Sequence, residues 1–155
     1  MIEARKAFAY ITQGDSLLVF THTDFPEAGI QVPAGTVEPG ETPETAVMRE
    51  AQEETGLTGL ELVGFLGYRR RDMSDVGLRA IHHRYFYHLR CPDPTPVTWR
   101  HDETQPHGAI DPAPIRFDFY WVTLPDGVPE LIADHGQMLE ELIERIGLSR
   151  SAGFG

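Results

Sequence analysis

The stretch TPETAVMREAQEETG, residues 42–56, constrains this chain more than any other, because it can form one element and leaves one problem unsolved. Thr42 is a good N-cap, Pro43 suits the first helical position, and Gly56 suits the left-handed end of a helix. At 100° per residue, Val47, Met48 and Ala51 fall on one apolar stripe that must be buried against another layer. Glu50, Glu53 and Glu54, three and four residues apart, share a different face. Like charges so spaced repel and weaken the helix that bears them, and Glu53 and Glu54 lie where the helix dipole also disfavours anions. Between Gly35 and Leu57 the sole basic residue is Arg49. Positive charge from outside the chain is needed.

The remaining segments are strand-like. Residues 4–12 and 16–21, separated by Gln13-Gly14-Asp15, read as a β-hairpin. A short extended piece near Ile30–Pro33 follows, then strands at 60–71, 78–90 and Arg116–Leu124. The stretch 91–114 holds six of the twelve prolines and reads as a long excursion with a short strand at Val97–Arg100. A second helix is predicted over 135–146, with Met138, Leu139, Leu142, Ile143 and Ile146 as its apolar stripe and Gly147 as its stop. Strands around two helices imply an α/β fold, a mixed β-sheet covered on both faces. No repeat or linker divides 1–148, which reads as a single domain, and 149–155 reads as a disordered tail.

Composition narrows the partners. A chain of 155 residues can bury a full core. No apolar run approaches the length of a membrane span, and the N-terminus MIEARKAFAY lacks a signal-peptide core. Cys91 is the only cysteine, so neither a disulfide framework nor a cysteine zinc site is expected. These features point to a cytoplasmic protein without a membrane partner; a homodimer is left open. The formal net charge of −11 repels nucleic acid, yet admits a small phosphorylated substrate that arrives with a metal ion.

Hard divalent cations take carboxylate oxygens, waters and substrate phosphates as ligands. A helix face carrying Glu50, Glu53 and Glu54 offers such oxygens on a rigid element. The same spacing also suits a solvated acidic face, and spacing alone does not separate the two. The longer pattern does. Gly35, five residues, Glu41, seven residues, then Arg49-Glu50-Ala51, Glu53-Glu54 and Gly56-Leu57 resembles the Nudix box at every fixed position. Such a match arises by chance on the order of once in ten million chains of this length. The QVPAG lead-in, the preceding hairpin and the FYWVTL strand before a C-terminal helix extend a looser likeness over most of the chain.

The resemblance implies a Nudix-type α/β/α sandwich and a magnesium- or manganese-dependent hydrolase. Its substrate would be a small nucleotide-type molecule, a nucleoside diphosphate linked to another moiety. It also implies that Glu50, Glu53 and Glu54 bind metal, that a carbonyl near Gly35 joins them, and that Glu41 pairs with Arg49. Glu50, Glu53, Glu54 and Arg49 are thus the expected catalytic set. Relatives often add an acid from outside the box, for which Asp118 in the last long strand and Asp102-Glu103 in the excursion are the two places. Arg69, Arg71 and Arg84 are candidate phosphate-binding residues, with structural ion pairs as their plainer fate. Two rival readings are a Nudix-fold nucleotide sensor without hydrolysis and an enzyme acting on RNA 5′-triphosphates, the latter opposed by the net charge.

Overall fold

The computed structural model describes residues 1–103 and 114–148. The expected tail at 149–155 and the middle of the proline-rich excursion lie outside the described residues. Chain order gives strands β1 (Ile2–Gln13), β2 (Ser16–His22) and β3 (Ala34–Thr36), helix α1 (Pro43–Thr55), strands β4 (Glu61–Asp72), β5 (Ala80–Arg90), β6 (Thr98–Glu103) and β7 (Ile115–Thr123), and helix α2 (Leu139–Arg145). Six strands run in the order β4-β5-β1-β2-β7-β6, and β3 pairs with β1. The β1–β5 pair is parallel and the others antiparallel, so the sheet is mixed.

Strand alternation divides β1 between two cores. Ala7, Ala9 and Ile11 face α1, packing with Ala46, Val47 and Ala51 of that helix and with Phe20, Leu89, Phe117 and Phe119. Phe8 and Tyr10 face the opposite way, toward Leu139, Leu142 and Ile143 of α2. On β1 itself the α1 face carries the small Ala7 and Ala9, and the α2 face the large Phe8 and Tyr10. An α/β/α sandwich results.

The hairpin forms with Gly14 at φ +57 in its two-residue loop. Its strands pair directly only at Thr12–Leu17 and Gln13–Ser16, because residues 31–36 wedge between them further down. Thr36 and Ala34 pair with Lys6 and Phe8 on β1, while Gln31 bridges to Phe20 on β2. The extended piece expected at Ile30–Pro33 therefore lies one step early, and β3 proper begins at Ala34. Thr42 caps α1 by accepting from the Thr45 N–H at 3.1 Å, and Gly56 ends it at φ +75.

The second helix is shorter than the predicted 135–146. Tyr10, fully buried, donates its hydroxyl to the His135 carbonyl at 2.6 Å and accepts from the Met138 N–H at 3.1 Å. Those two backbone groups are thereby tied to the sheet instead of to a helical ladder. Ala133 and Asp134 take positive φ just before them. The strand expected at 97–100 extends to Glu103 as the edge of the sheet, paired along its length with β7.

Candidate active site

Arg49 organises the stretch that follows β3. Its Nε and Nη2 donate to Glu41 at 2.8 and 2.9 Å, its Nη1 to Glu50 at 2.7 Å and Glu53 at 3.4 Å, and its Nη2 also to the Thr36 carbonyl at 3.1 Å. The Arg49 guanidinium and the Glu38 N–H hold the Glu41 carboxyl down to about 2. One guanidinium thus ties the loop, the end of β3 and two helix carboxylates together, the bidentate geometry that arginine alone provides.

Gly35 is required by contact. A Cβ there would overlap the Glu50 carboxylate, which packs directly over the β3 backbone. Glu54 takes a different direction from its neighbours. It is buried, and its Oε2 accepts from the Ala34 N–H at 3.0 Å, fastening α1 to β3. Burial raises its pKa well above the carboxylate range, with the Glu103 and Glu50 charges adding to the effect. Glu50 is also raised, chiefly by burial.

The third member of the carboxylate cluster comes from β6. Ligand oxygens of Glu50, Glu53 and Glu103 all lie within 4.8 Å of one another. The excursion delivers Glu103 as the last residue of strand β6, not on a swinging loop, and β6 is pinned to α1. The Trp99 Nε1 donates to the Thr55 carbonyl at 2.9 Å and the His101 Nε2 to the Glu53 carbonyl at 3.0 Å. Both carbonyls are helix-end acceptors that α1 leaves unsatisfied. The His101 ring lies over Gly56, where a Cβ would come within 2.6 Å of it. Burial, then the Glu50 and Glu53 charges, push Glu103 up to about 7. Sequence reasoning missed Trp99 and His101, whose signal is only the alternation Trp99, His101, Glu103 on one strand face.

The other candidates are elsewhere. Asp118 lies on the strand between Phe117 and Phe119, both buried against α1, so alternation turns it to the opposite face. There it accepts from Arg100 at 2.8 Å and Thr23 at 3.0 Å. Arg71 is engaged by Asp75 at 2.8 Å and Asp134 at 3.1 Å. Arg84 is buried, donating to the Ala133 carbonyl at 2.7 Å and Gln137 at 3.2 Å, with Phe8 under its guanidinium. Arg69 donates to the Tyr68 carbonyl at 2.8 Å. The structure brings none of these three arginines to the carboxylates.

Clustered carboxylate oxygens, those of Glu50 and Glu103 raised toward protonation by burial, suit a hard divalent cation of the magnesium or manganese kind. A groove of about 540 Å³, lined by Arg49, Gln52, Glu53, Gly56, Thr58 and His101, runs beside them.

The family model described as NUDIX domain matches residues 3–142. The chain belongs to the Nudix family. Three solved structures illustrate the likeness. A UDP-X diphosphatase superposes with TM-score 0.63 at 16% identity, over 95% of this chain and 64% of that one. A MutT NUDIX hydrolase from Burkholderia pseudomallei gives 0.60 at 21%, over 92% and 99%. An E. coli dihydroneopterin triphosphate pyrophosphohydrolase gives 0.64 at 17%, over 94% and 99%. The chain spans 64% of the length of the first of these. A comparison with curated protein sequences finds no match. Among the described residues, no helix is long and apolar enough to cross a membrane.

Proposed function

We propose that this Nudix domain, residues 1–148, is a divalent-metal-dependent pyrophosphohydrolase. Its substrate is a nucleoside diphosphate linked to another moiety, and water attacks phosphorus to break the anhydride bond. The observation that carries this reading is the convergence of Glu50, Glu53 and Glu103 to within 4.8 Å, beside an arginine already committed to holding two of them. Glu50, Glu53 and Glu103 hold the cation, in this reading. When bound, a magnesium or manganese ion neutralises the diphosphate and acidifies a ligated water. Arg49 fixes the orientation of Glu50 and Glu53, and Glu54 keeps β3 and its Gly35 carbonyl at the height of the helix face. A carboxylate of this cluster accepts the proton of the attacking water, the P–O anhydride bond breaks, and the bridging oxygen leaves on the other phosphoryl group, giving a nucleoside monophosphate and the phosphorylated moiety.

The names of two structural relatives, a UDP-X diphosphatase and a dihydroneopterin triphosphate pyrophosphohydrolase, differ in ring system and phosphate number, so the class rather than the compound is proposed. The test is turnover of a panel of nucleoside diphosphate derivatives with magnesium or manganese, scored for released phosphate species. Metal-dependent release supports the reading. No turnover combined with tight binding of one nucleotide overturns it in favour of a sensor. Steep loss of binding with salt on triphosphorylated RNA, with small nucleotides inert, overturns it in favour of the RNA-end enzyme. A cytoplasmic location belongs to the same proposal.

A further inference from the structure

Lys6 is the only lysine in the sequence. It sits in the apolar strand β1, half-buried, directly opposite Thr36 of β3. Its Nζ donates to the Thr36 hydroxyl at 2.7 Å, and among the described residues it enters no ion pair. Among the described residues the arginines without such a pair are Arg5, Arg69, Arg70 and Arg79, which are exposed, and Arg84, which is buried but donates to the Ala133 carbonyl and Gln137. Lys6 is partly buried. Burial lowers its pKa foremost, the Glu50 charge opposes this, Arg84 adds to it and Glu54 opposes it. Strand alternation puts Lys6 on the face of Phe8 and Tyr10, and on β5 its register partner is the buried Arg84.

Thr36 joins this lysine to the carboxylate cluster. Its carbonyl accepts from Arg49 and its hydroxyl from Lys6, and the residue before it is Gly35, under the Glu50 carboxylate. Opposed residues on paired strands stand about 5 Å apart. Lys6 thus stands one residue along the paired strands from Gly35, the position that the Glu50 carboxylate covers. Among the described residues this half-buried ammonium bonds to a neutral hydroxyl and not to a carboxylate, and its natural complement is an oxyanion.

We propose that Lys6 is a substrate-binding residue whose Nζ takes a phosphate oxygen of the diphosphate at the β3 edge of the cluster, in place of the Thr36 hydroxyl. This rests on the pyrophosphohydrolase reading for its substrate class. It assigns to one lysine the metal-independent phosphate contact that the sequence suggested for Arg69, Arg71 and Arg84.

The test uses α,β-methylene-ADP, a non-hydrolysable diphosphate, against wild type, Lys6→Met and Lys6→Arg. Methionine keeps the aliphatic stem and removes only the charge. Calorimetry is expected to show the Kd for the analogue weakened roughly tenfold to a hundredfold in K6M, the loss of one charge-assisted bond. The melting temperature and the magnesium Kd should stay at wild-type values, and K6R should recover most of the affinity. With a cleaved substrate, KM should rise by the same factor while kcat holds. Reductive ¹³C-methylation labels this single lysine, whose methyl signal should shift on adding the analogue. K6M binding within twofold of wild type, or a wild type blind to the analogue, overturns the proposal. Wild type that binds through Lys6 but cleaves no panel member overturns the hydrolase reading alone, and metal-dependent cleavage with an unchanged KM in K6M overturns only the role of Lys6.

Discussion

Glu103→Gln separates the electrostatics of the cluster from the packing around it. In the cation-free protein the Glu103 carboxyl is carried from its ordinary 4.5 to about 7, first by burial and then by Glu50 and Glu53. A group protonated more readily when folded adds stability that is fully present below pH 4.5 and lost as pH rises through 7. The shift corresponds to about 3 kcal/mol. Partial exposure and solvent screening reduce this to ~1–2 kcal/mol. Glutamine has the shape of the neutral acid. With chelator present, the variant should match wild type at pH 4.5 and exceed it by ~1–2 kcal/mol at pH 8, read from urea melts at intervals across that range. Magnesium should then stabilise wild type at pH 8 and the variant far less. A difference between the two proteins that is equal at pH 4.5 and pH 8 refutes the argument, as does a variant less stable at pH 8.

Glu50→Gln and Glu53→Gln should each lower turnover of a confirmed substrate by on the order of a hundredfold, measured at saturating magnesium, while glutamine at the outlying Glu44 is nearly silent. Gly35→Ala puts a Cβ into the Glu50 carboxylate; magnesium affinity by calorimetry should fall together with about 1–3 kcal/mol of stability. Asp118→Asn should leave kcat within a few-fold of wild type, since Asp118 is bound to Arg100 and Thr23 on the face away from α1.

What could be read from the sequence was local. Thr42, Pro43 and Gly56 each act on the backbone within a turn, so they fixed the limits of α1, and Gly14 marked the hairpin for the same reason. The spacing of Arg49, Glu50 and Glu53 fixed one wall of the site. Its other wall depended on pairings that spacing does not encode. Glu103 looked like a loop acid because prolines precede it, and only its pairing with Ile115 makes it the end of a strand. Lys6 gave no sign beyond following Arg5 at the head of an apolar run. The arginines at 71 and 84 misled because their partners, Asp134 and the Ala133 carbonyl, lie far along the chain. The start of α2 was misplaced for a related reason, since Tyr10 captures backbone groups that helical periodicity assigned to the helix.

The parallel pairing of β1 with β5 has a consequence for how the protein is made. Ile2 lies opposite Ala80 and Thr12 opposite Arg90, so the first strand synthesised waits for the fifth before one of its edges is closed. At roughly 5–20 residues per second that wait lasts several seconds on the ribosome. During it, an edge bearing Phe8, Tyr10 and Ile11 is open to any other nascent strand. A chain stalled or truncated before Arg90 should therefore precipitate or be held by chaperones even with hairpin and helix α1 complete, whereas one released just beyond Arg90 has its central strand protected on both sides.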